Sequence, residues 1–182
     1  MAPKATIFKA ELTVSDLDRG HFATHQLTLA RHPSETDERM MVRLLAFALH
    51  ADERLAFGPG LSTEDEPDLA LADLTGATEL WIEVGLPDER QVRRACSRAR
   101  RVVVYAFGSA AGVWWGQQGE ALARFENLAV VALPPESTRQ LAARAGRTMS
   151  LQCTVQEGHI WWSDEAVSLE IAPTVLKPAA AS

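Results

Sequence analysis

The chain has 182 residues, 47% of them hydrophobic, and a formal net charge of −6, which predicts one soluble domain with a sizeable core and argues against a surface generally coated with nucleic acid. Its two cysteines, Cys96 and Cys153, form no CxxC pair, which excludes a disulfide framework and a thiolate zinc site. No apolar run approaches the roughly 18 residues of a membrane-spanning helix, and no signal peptide precedes the first strand-like pattern, so we expect a cytoplasmic protein without membrane contact.

The N-terminal segment predicts a β-hairpin followed by a helix. Residues 5–14 and 22–31 are rich in β-forming residues and flank a turn. Residues 35–50 have helical periodicity, and Ser34 with Asp37 three residues later resembles a capping box. We expect the apolar side of this helix to pack on the central sheet through Met41, Leu45 and Leu49.

The middle of the chain alternates between strand and helix signals. Residues 67–74 alternate, residues 78–84 have the strongest strand pattern, and residues 102–107 and 128–133 are continuous apolar runs typical of buried strands. The strand at 78–84 is therefore expected at the centre of a sheet, between 67–74 and 102–107. Three helices are predicted in the same region: one after Pro87, one over about 116–125, and a short one after Pro134-Pro135.

The C-terminal segment returns to β character. Residues 148–156 and 159–171 predict strands around a Glu157-Gly158 turn, and the tail after Pro173 is expected to be frayed.

These elements predict an α/β fold. We expect a single domain over 1–182, whose core, roughly 34–146, has a mixed central sheet flanked by helices. The strands in roughly 5–31 and 148–172 are expected to form an additional small sheet.

Two acidic residues fall near the ends of two successive predicted strands. Asp68 opens one predicted strand, and Glu83 lies near the end of the next. Alternation places Glu83 on the same face as Trp81. If the two strands are neighbours, two carboxylates meet at one end of the sheet, an arrangement that suits Mg²⁺. Such a metal polarises a phosphodiester and activates a water.

The same residues carry a family resemblance. Pro67-Asp68 followed by Glu83-Val84-Gly85, with a helix before and after, resembles the core of PD-(D/E)xK nucleases. The string Trp81–Asp88, continuing to Ala95-Cys96, is similar to the YaeQ family in particular, as is His32–Thr36 at the first helix. The similarity runs over most of the chain and implies a restriction-endonuclease-like core.

The resemblance assigns a role to each matching position. Asp68 and Glu83 would be metal ligands for Mg²⁺, and Glu38 on the first helix would assist them. The lysine of the motif falls at Gly85, so Arg93 or Arg94 on the following helix would have to face the phosphate. An arginine clamps a phosphate but is a poor proton-transfer group, because its pKa stays above about 12.

A local cluster of positive charge follows Glu83 in the chain. Six of the 18 cationic residues fall between positions 90 and 101. Because salt screens charges beyond roughly 8 Å, local charge matters more to a phosphate backbone than the acidic total. The acidic run 64–66 opposes this attraction. We expect any nucleic acid to be held by the arginines of the helix: Arg90, Arg93, Arg94 and Arg98.

Structural explanations remain open for each of these residues. Asp68 is alternatively an acid that stabilises a turn, and Glu83 is alternatively the ion-pair partner of an arginine. Glu38 and the arginines of the following helix alternatively belong to solvated helix faces. Two functions follow: a Mg²⁺-dependent nuclease-like protein that acts on or binds phosphodiesters, or an inactive nuclease-like fold that serves as a binding, regulatory or protein-interaction module. Gly85 is the strongest argument for the second.

Overall fold

The computed structural model describes residues 4–59 and 65–180, in which the chain forms two mixed β-sheets and four α-helices. Contacts group these elements into two compact units. The first unit contains the described residues up to Ala51 together with Glu136–Pro173, and the second contains Asp52–Pro135 and the described residues from Thr174. The single domain expected from the sequence stays a prediction. No helix in the described ranges is long and apolar enough to cross a bilayer.

Strands and helices are numbered separately along the chain. The strands are β1 (Thr6–Asp16), β2 (His21–Arg31), β3 (Leu55–Phe57), β4 (Leu69–Ala72), β5 (Thr78–Val84), β6 (Ala99–Ala106), β7 (Leu128–Ala132), β8 (Thr148–Gln156), β9 (His159–Ser163), β10 (Ser168–Ile171) and β11 (Thr174–Lys177). The helices are α1 (Asp37–Leu49), α2 (Glu89–Arg98), α3 (Ala111–Leu122) and α4 (Pro135–Ala142).

The sheet of the first unit combines the two N-terminal strands with three strands from later in the chain. Its strand order is β10-β9-β8-β1-β2, in which only β1 and β8 are parallel. One face is apolar and buried through alternate residues such as Leu12 and Val14, whereas the intervening Glu11 and Thr13 belong to the solvent-facing side. The predicted hairpin and the separate sheet of terminal strands are therefore confirmed.

Helix α1 packs against β1 and is buried from Met40 through Ala48. Its N-cap is Thr36, whose Oγ1 accepts the Arg39 N–H at 3.1 Å, so the predicted capping box at Ser34 is wrong. Ser34 instead shares a hydrogen bond of 2.7 Å with Nδ1 of His32, which draws its hydroxyl away from the helix.

The sheet of the second unit has the order β11-β7-β6-β5-β4-β3. Strands β5, β6 and β7 are parallel, and the outer pairings are antiparallel. The prediction that residues 78–84 lie between the strands before and after them is confirmed. Helices α2 and α3 link the parallel strands and pack on one apolar cluster, where the Trp114 indole donates to the Pro87 carbonyl at 2.8 Å.

The last strand was not expected. Residues Thr174–Lys177 pair with β7, so a frayed tail from Pro173 onward is wrong. Leu176 packs against the apolar cluster, and the Lys177 ammonium donates to the Leu128 carbonyl at 2.8 Å. A four-residue strand is too short to show a recognisable period, and its hydrogen bonds come from a distant strand, here the edge of β7. The three-residue strand β3, which pairs with β4, went unpredicted because it is equally short.

Candidate functional site

Asp68 is fixed against β5 by its backbone and by its side chain. Its N–H donates to the Ile82 carbonyl at 3.0 Å, and its Oδ2 accepts the Val84 N–H at 2.8 Å. Glu83 lies between these two partners in the chain, so Asp68 bonds to both neighbours of Glu83. Asp68 is 6% exposed, so its carboxylate is buried at the point where the pairing of β4 with β5 ends.

Glu83 is held by the indole of its neighbour on the same face of β5. The Nε1–H of Trp81 donates to Oε1 of Glu83 at 2.8 Å, and the carboxylate side chain is half-buried. Trp81 itself belongs to the apolar cluster under α2 and α3. Core packing thus orients the indole, and the indole orients the carboxylate.

Gly85, where the resemblance placed the lysine of the motif, adopts a backbone conformation that favours glycine. Its φ is +119°, and its N–H donates to the Tyr105 carbonyl at 2.9 Å. A Cβ built on Gly85 meets no atom within 4 Å, so the obstacle to a side chain is the backbone conformation alone.

The first of the two predicted phosphate-facing arginines is engaged with an acid of its own helix. Nη2 of Arg93 lies 3.0 Å from Oε1 of Glu89, and Arg124 forms an ion pair with the same carboxylate. Both arginine side chains are more than half exposed, so these pairs are weak and exchangeable.

The second arginine engages the segment before Asp68. Arg94 forms an ion pair with the side chain of Asp65, and Nη1 of Arg98 donates to the Asp65 carbonyl at 3.1 Å. Asp65 was expected to repel phosphate, but here it neutralises part of the arginine cluster. Of the other acids in that run, Glu64 lies outside the described residues. Arg90 is exposed on α2.

Glu38 lies on α1 in the first unit. Its Oε2 accepts a hydrogen bond of 3.0 Å from the hydroxyl of Thr138, a residue that is fully buried. The predicted assistance of Glu38 to a metal stays a prediction.

Two carboxylates are a suitable donor set for a hard cation. No group of three or more His, Cys, Asp or Glu side chains in the described ranges is placed to hold a metal ion together. A cation at Asp68 and Glu83 would thus have two protein ligands, and Mg²⁺ accepts this because it keeps several waters and binds substrate phosphate. Zinc, which prefers nitrogen and sulfur ligands, fits this pair poorly.

A buried ion pair at the start of α1 went unpredicted. Arg43 contacts Glu35 through two hydrogen bonds, Nη2 to Oε1 at 2.6 Å and Nε to Oε2 at 2.9 Å, and Arg39 adds a third at 2.7 Å. The side chains of Glu35 and Arg43 are 1% and 2% exposed. The spacing of four residues between the three charges is the sequence signal that could have revealed them.

Two histidines of β2 also meet. The Nε2 atoms of His21 and His25 lie 3.0 Å apart, above the small side chain of Ala23 on the same face of the strand. The two rings therefore share a hydrogen bond, in which the Nε2–H of one donates to the Nε2 of the other.

Comparison with known proteins places these observations in a family. The model of the YaeQ protein family matches residues 1–173. Proteins called uncharacterized protein YaeQ from Salmonella typhi and Escherichia coli K12 are 53% and 50% identical to the chain, over 96% and 94% of its length and 97% and 95% of theirs.

Two solved structures are similar throughout. The crystal structure of the YaeQ protein from Xanthomonas axonopodis pv. citri has a TM-score of 0.92 at 49% identity, covering 95% of this chain and 98% of that one. The YaeQ protein from Pseudomonas syringae also gives 0.92, at 38% identity, with 96% and 97% covered.

Proposed function

Because the chain belongs to the YaeQ family, we propose that it is a nuclease-like protein in which Asp68 and Glu83 hold one Mg²⁺ against a nucleic-acid phosphodiester. One observation carries the proposal: Asp68 bonds to the backbone on both sides of Glu83, which brings two acids to one end of the sheet. In this proposal β4, β5 and β6 with their helices correspond to a restriction-endonuclease-like core, and the protein acts in the cytoplasm.

The chain's own residues keep the two carboxylates oriented. The Val84 N–H holds Oδ2 of Asp68, and the Trp81 indole holds Oε1 of Glu83. Both donors lie on β5, so the two acids move with one rigid strand. A bound Mg²⁺ would polarise the phosphodiester and raise the acidity of a coordinated water.

The arginines of α2 supply the proposed contact to the nucleic acid. Arg93 and Arg94 exchange Glu89 and Asp65 for phosphate oxygens when a nucleic acid binds. Each ion pair has one side chain that is more than half exposed, Arg93 and Asp65, so little net stability is lost. Neither arginine replaces lysine in proton transfer, since both remain charged at neutral pH.

The backbone at Gly85 favours a second candidate function. With φ at +119° and no lysine, the site lacks a group that orients the attacking water. The alternative is therefore a nuclease-like fold without catalysis, which binds nucleic acid or a protein partner in a regulatory role.

Calorimetric titration with Mn²⁺ tests the metal site. Asp68→Asn retains a carbonyl oxygen that accepts the Val84 N–H but loses the charge, so we expect an intact fold without Mn²⁺ binding. Asp73→Asn, at an exposed turn, is the matched control and should bind as wild type does. Equal binding by Asp68→Asn and wild type would mean that the ligands lie elsewhere.

Nucleic-acid binding in Ca²⁺ at several salt concentrations tests the substrate class. Each lost phosphate contact lowers the slope of log affinity against log salt by about 0.7–0.9, so the double variant Arg93→Ala, Arg94→Ala should flatten it. Arg54→Ala, whose guanidinium pairs with Asp52 just before β3, is the control. If wild type binds no nucleic acid in a salt-sensitive way, the interaction module becomes the better function. Cleavage of a labelled oligonucleotide in Mg²⁺ then separates an active enzyme from a binding protein.

A further inference from the structure

Strand β2 forms one end of the five-stranded sheet and is regular throughout. It pairs with β1 over all 11 residues, from His21 opposite Asp16 to Arg31 opposite Thr6, without a register shift. Residues 21–30 contain no acidic side chain, no lysine or arginine and no proline.

The hydrogen bonds of β1 determine which residues of β2 point away from the sheet. The N–H of Lys9 donates to Arg147 and that of Leu17 to Val155, so the odd-numbered residues of β1 face β8. The even-numbered residues of β1 therefore face β2. They stand opposite odd-numbered residues of β2, such as Leu12 opposite His25.

It follows that the even-numbered residues of β2 direct their N–H and C=O groups outward. One contact supports this direction independently, because the Ala30 carbonyl accepts a hydrogen bond of 3.1 Å from Nη2 of Arg43 rather than from β1. Four such residues remain: Phe22, Thr24, Gln26 and Thr28.

These four residues, the free edge of β2, are all exposed, and Phe22 is 64% exposed. In residues 4–59 and 65–180, no backbone hydrogen bond of another segment reaches them. Natural edge strands are normally protected by a charged side chain, a proline or a bulge. The free edge of β2 has none of these, so its four N–H and four C=O groups are available to a further strand.

We propose that a second copy of this chain occupies the free edge, with β2 pairing antiparallel to β2 of the second copy. The pairing places Phe22 opposite Thr28 of the second copy and Thr24 opposite Gln26, around a two-fold axis at His25. Antiparallel pairs that face each other exchange two hydrogen bonds, so this register forms about eight. It uses all four outward residues and leaves the Ala30 carbonyl with Arg43.

Self-pairing fits the side chains as well as the backbone. Residues 21–30 contain no Asp, Glu, Lys or Arg, so no two such charges of the same sign face each other across the pairing. The register sets an aromatic side chain opposite a β-branched one at both ends, a favourable cross-strand pair. Each copy presents the same surface, as a closed two-fold dimer requires.

Sedimentation equilibrium of wild type and edge variants tests the proposal. Thr24→Pro and Gln26→Pro remove an N–H that β1 does not use, so the sheet of one chain tolerates them while the second copy loses its bonds. We expect twice the mass of one chain for wild type and the mass of one chain for both variants. Thr24→Lys should also be monomeric, whereas Thr13→Lys, opposite Thr24 on the same face but inside the sheet, should dimerise as wild type does.

Circular dichroism checks that each variant is folded. If a proline variant is unfolded, Thr24→Lys still tests the proposal. A wild type of single-chain mass at its highest soluble concentration would overturn the proposal. Edge variants that dimerise like wild type would also overturn it.

Cross-linking tests the register. His25→Cys places two thiols face to face at the axis, where the Cα atoms of a pair without hydrogen bonds lie about 4.5 Å apart, within reach of a disulfide. We expect a covalent dimer after oxidation of His25→Cys and none for His21→Cys, which stands opposite Leu29 of the second copy. Cys153 is buried, and wild type measures the background from the native cysteines. Equal cross-linking of both variants would contradict this register.

Discussion

The carboxylate of Asp68 takes the place of a backbone carbonyl for Val84, accepting its N–H through Oδ2 at 2.8 Å. The regular pairing of β4 with β5 ends at Leu69 and Ile82, two residues before Val84. The side chain of Asp68 thus supplies a hydrogen-bond acceptor to β5 beyond the point where the regular pairing has ended. The same carboxylate thus has a structural role beside the proposed role in metal binding.

These two roles separate in a pair of substitutions at Asp68. Asp68→Ala should lower the free energy of unfolding by about 1–3 kcal/mol, the usual cost of leaving a buried donor unsatisfied. Asp68→Asn should cost clearly less, because its amide oxygen still accepts the Val84 N–H. Urea unfolding measures both, and equal losses for the two variants would mean that charge, not the hydrogen bond, matters here.

Gly85 should resist substitution regardless of side-chain size. Gly85→Ala and Gly85→Lys should each lower the free energy of unfolding by about 1–3 kcal/mol, because the strain lies in the backbone at φ +119°. Gly116→Ala is the control: it lies inside α3 with space for a Cβ, and should stabilise by roughly 0.5–1 kcal/mol. Gly85 variants as stable as wild type in urea unfolding would contradict the strain.

The Glu35–Arg43 pair should tolerate loss of both charges better than loss of one. Glu35→Leu alone removes the carboxylate partner of the buried Arg43 and should cost about 3–5 kcal/mol, whereas Arg43→Met alone should cost less because Arg39 still contacts Glu35. The double variant Glu35→Leu, Arg43→Met should cost less than the sum, as a double-mutant cycle would measure. For the exposed pair of Arg93 with Glu89, the same cycle should give at most about 1 kcal/mol. Additive losses at Glu35 and Arg43 would show that the two charges are not coupled.

Acid should weaken the loop around Asp164. The hydrogen bond from Arg144, aided by the N–H groups of Ala166 and Val167, lowers the pKa of Asp164 to about 2. A lowered carboxyl pKa stabilises the fold above the ordinary value near 4, and this contribution disappears as the pH falls from about 4 to 2. The difference in melting temperature between wild type and Asp164→Asn should therefore shrink over that range. A difference that stays constant from neutral pH to pH 2 would refute the assignment.

The sequence predicted those features that depend on local pattern. The alternation in residues 78–84 and the order of the flanking strands were enough to bring Asp68 beside β5. The turn signals likewise delimited the N-terminal hairpin. Period-two patterns and turns are set by neighbouring residues, so they are visible without knowledge of the fold.

Features that depend on distant partners were missed. Ser34 and Thr36 are both favoured N-cap residues, and the bond of Ser34 with His32 leaves Thr36 to cap the helix. Asp65 appeared repulsive because its contact with Arg94 joins residues 29 positions apart. Charged side chains such as Glu35 and Arg43 ordinarily lie on a solvated helix face, but here both are buried and paired with each other.

The parallel pairing of β1 with β8 has a consequence for how the chain is made. Lys9 pairs with Thr148, 139 positions later, so β1 leaves the ribosome long before β8 has been synthesised. At about 5–20 residues per second, synthesis of the intervening chain takes roughly 7–28 s. During that time the hairpin of β1 and β2 has an unpaired strand on the β1 side. The beginning of the nascent chain therefore carries an unprotected strand edge for this whole time, and faster elongation shortens the exposure.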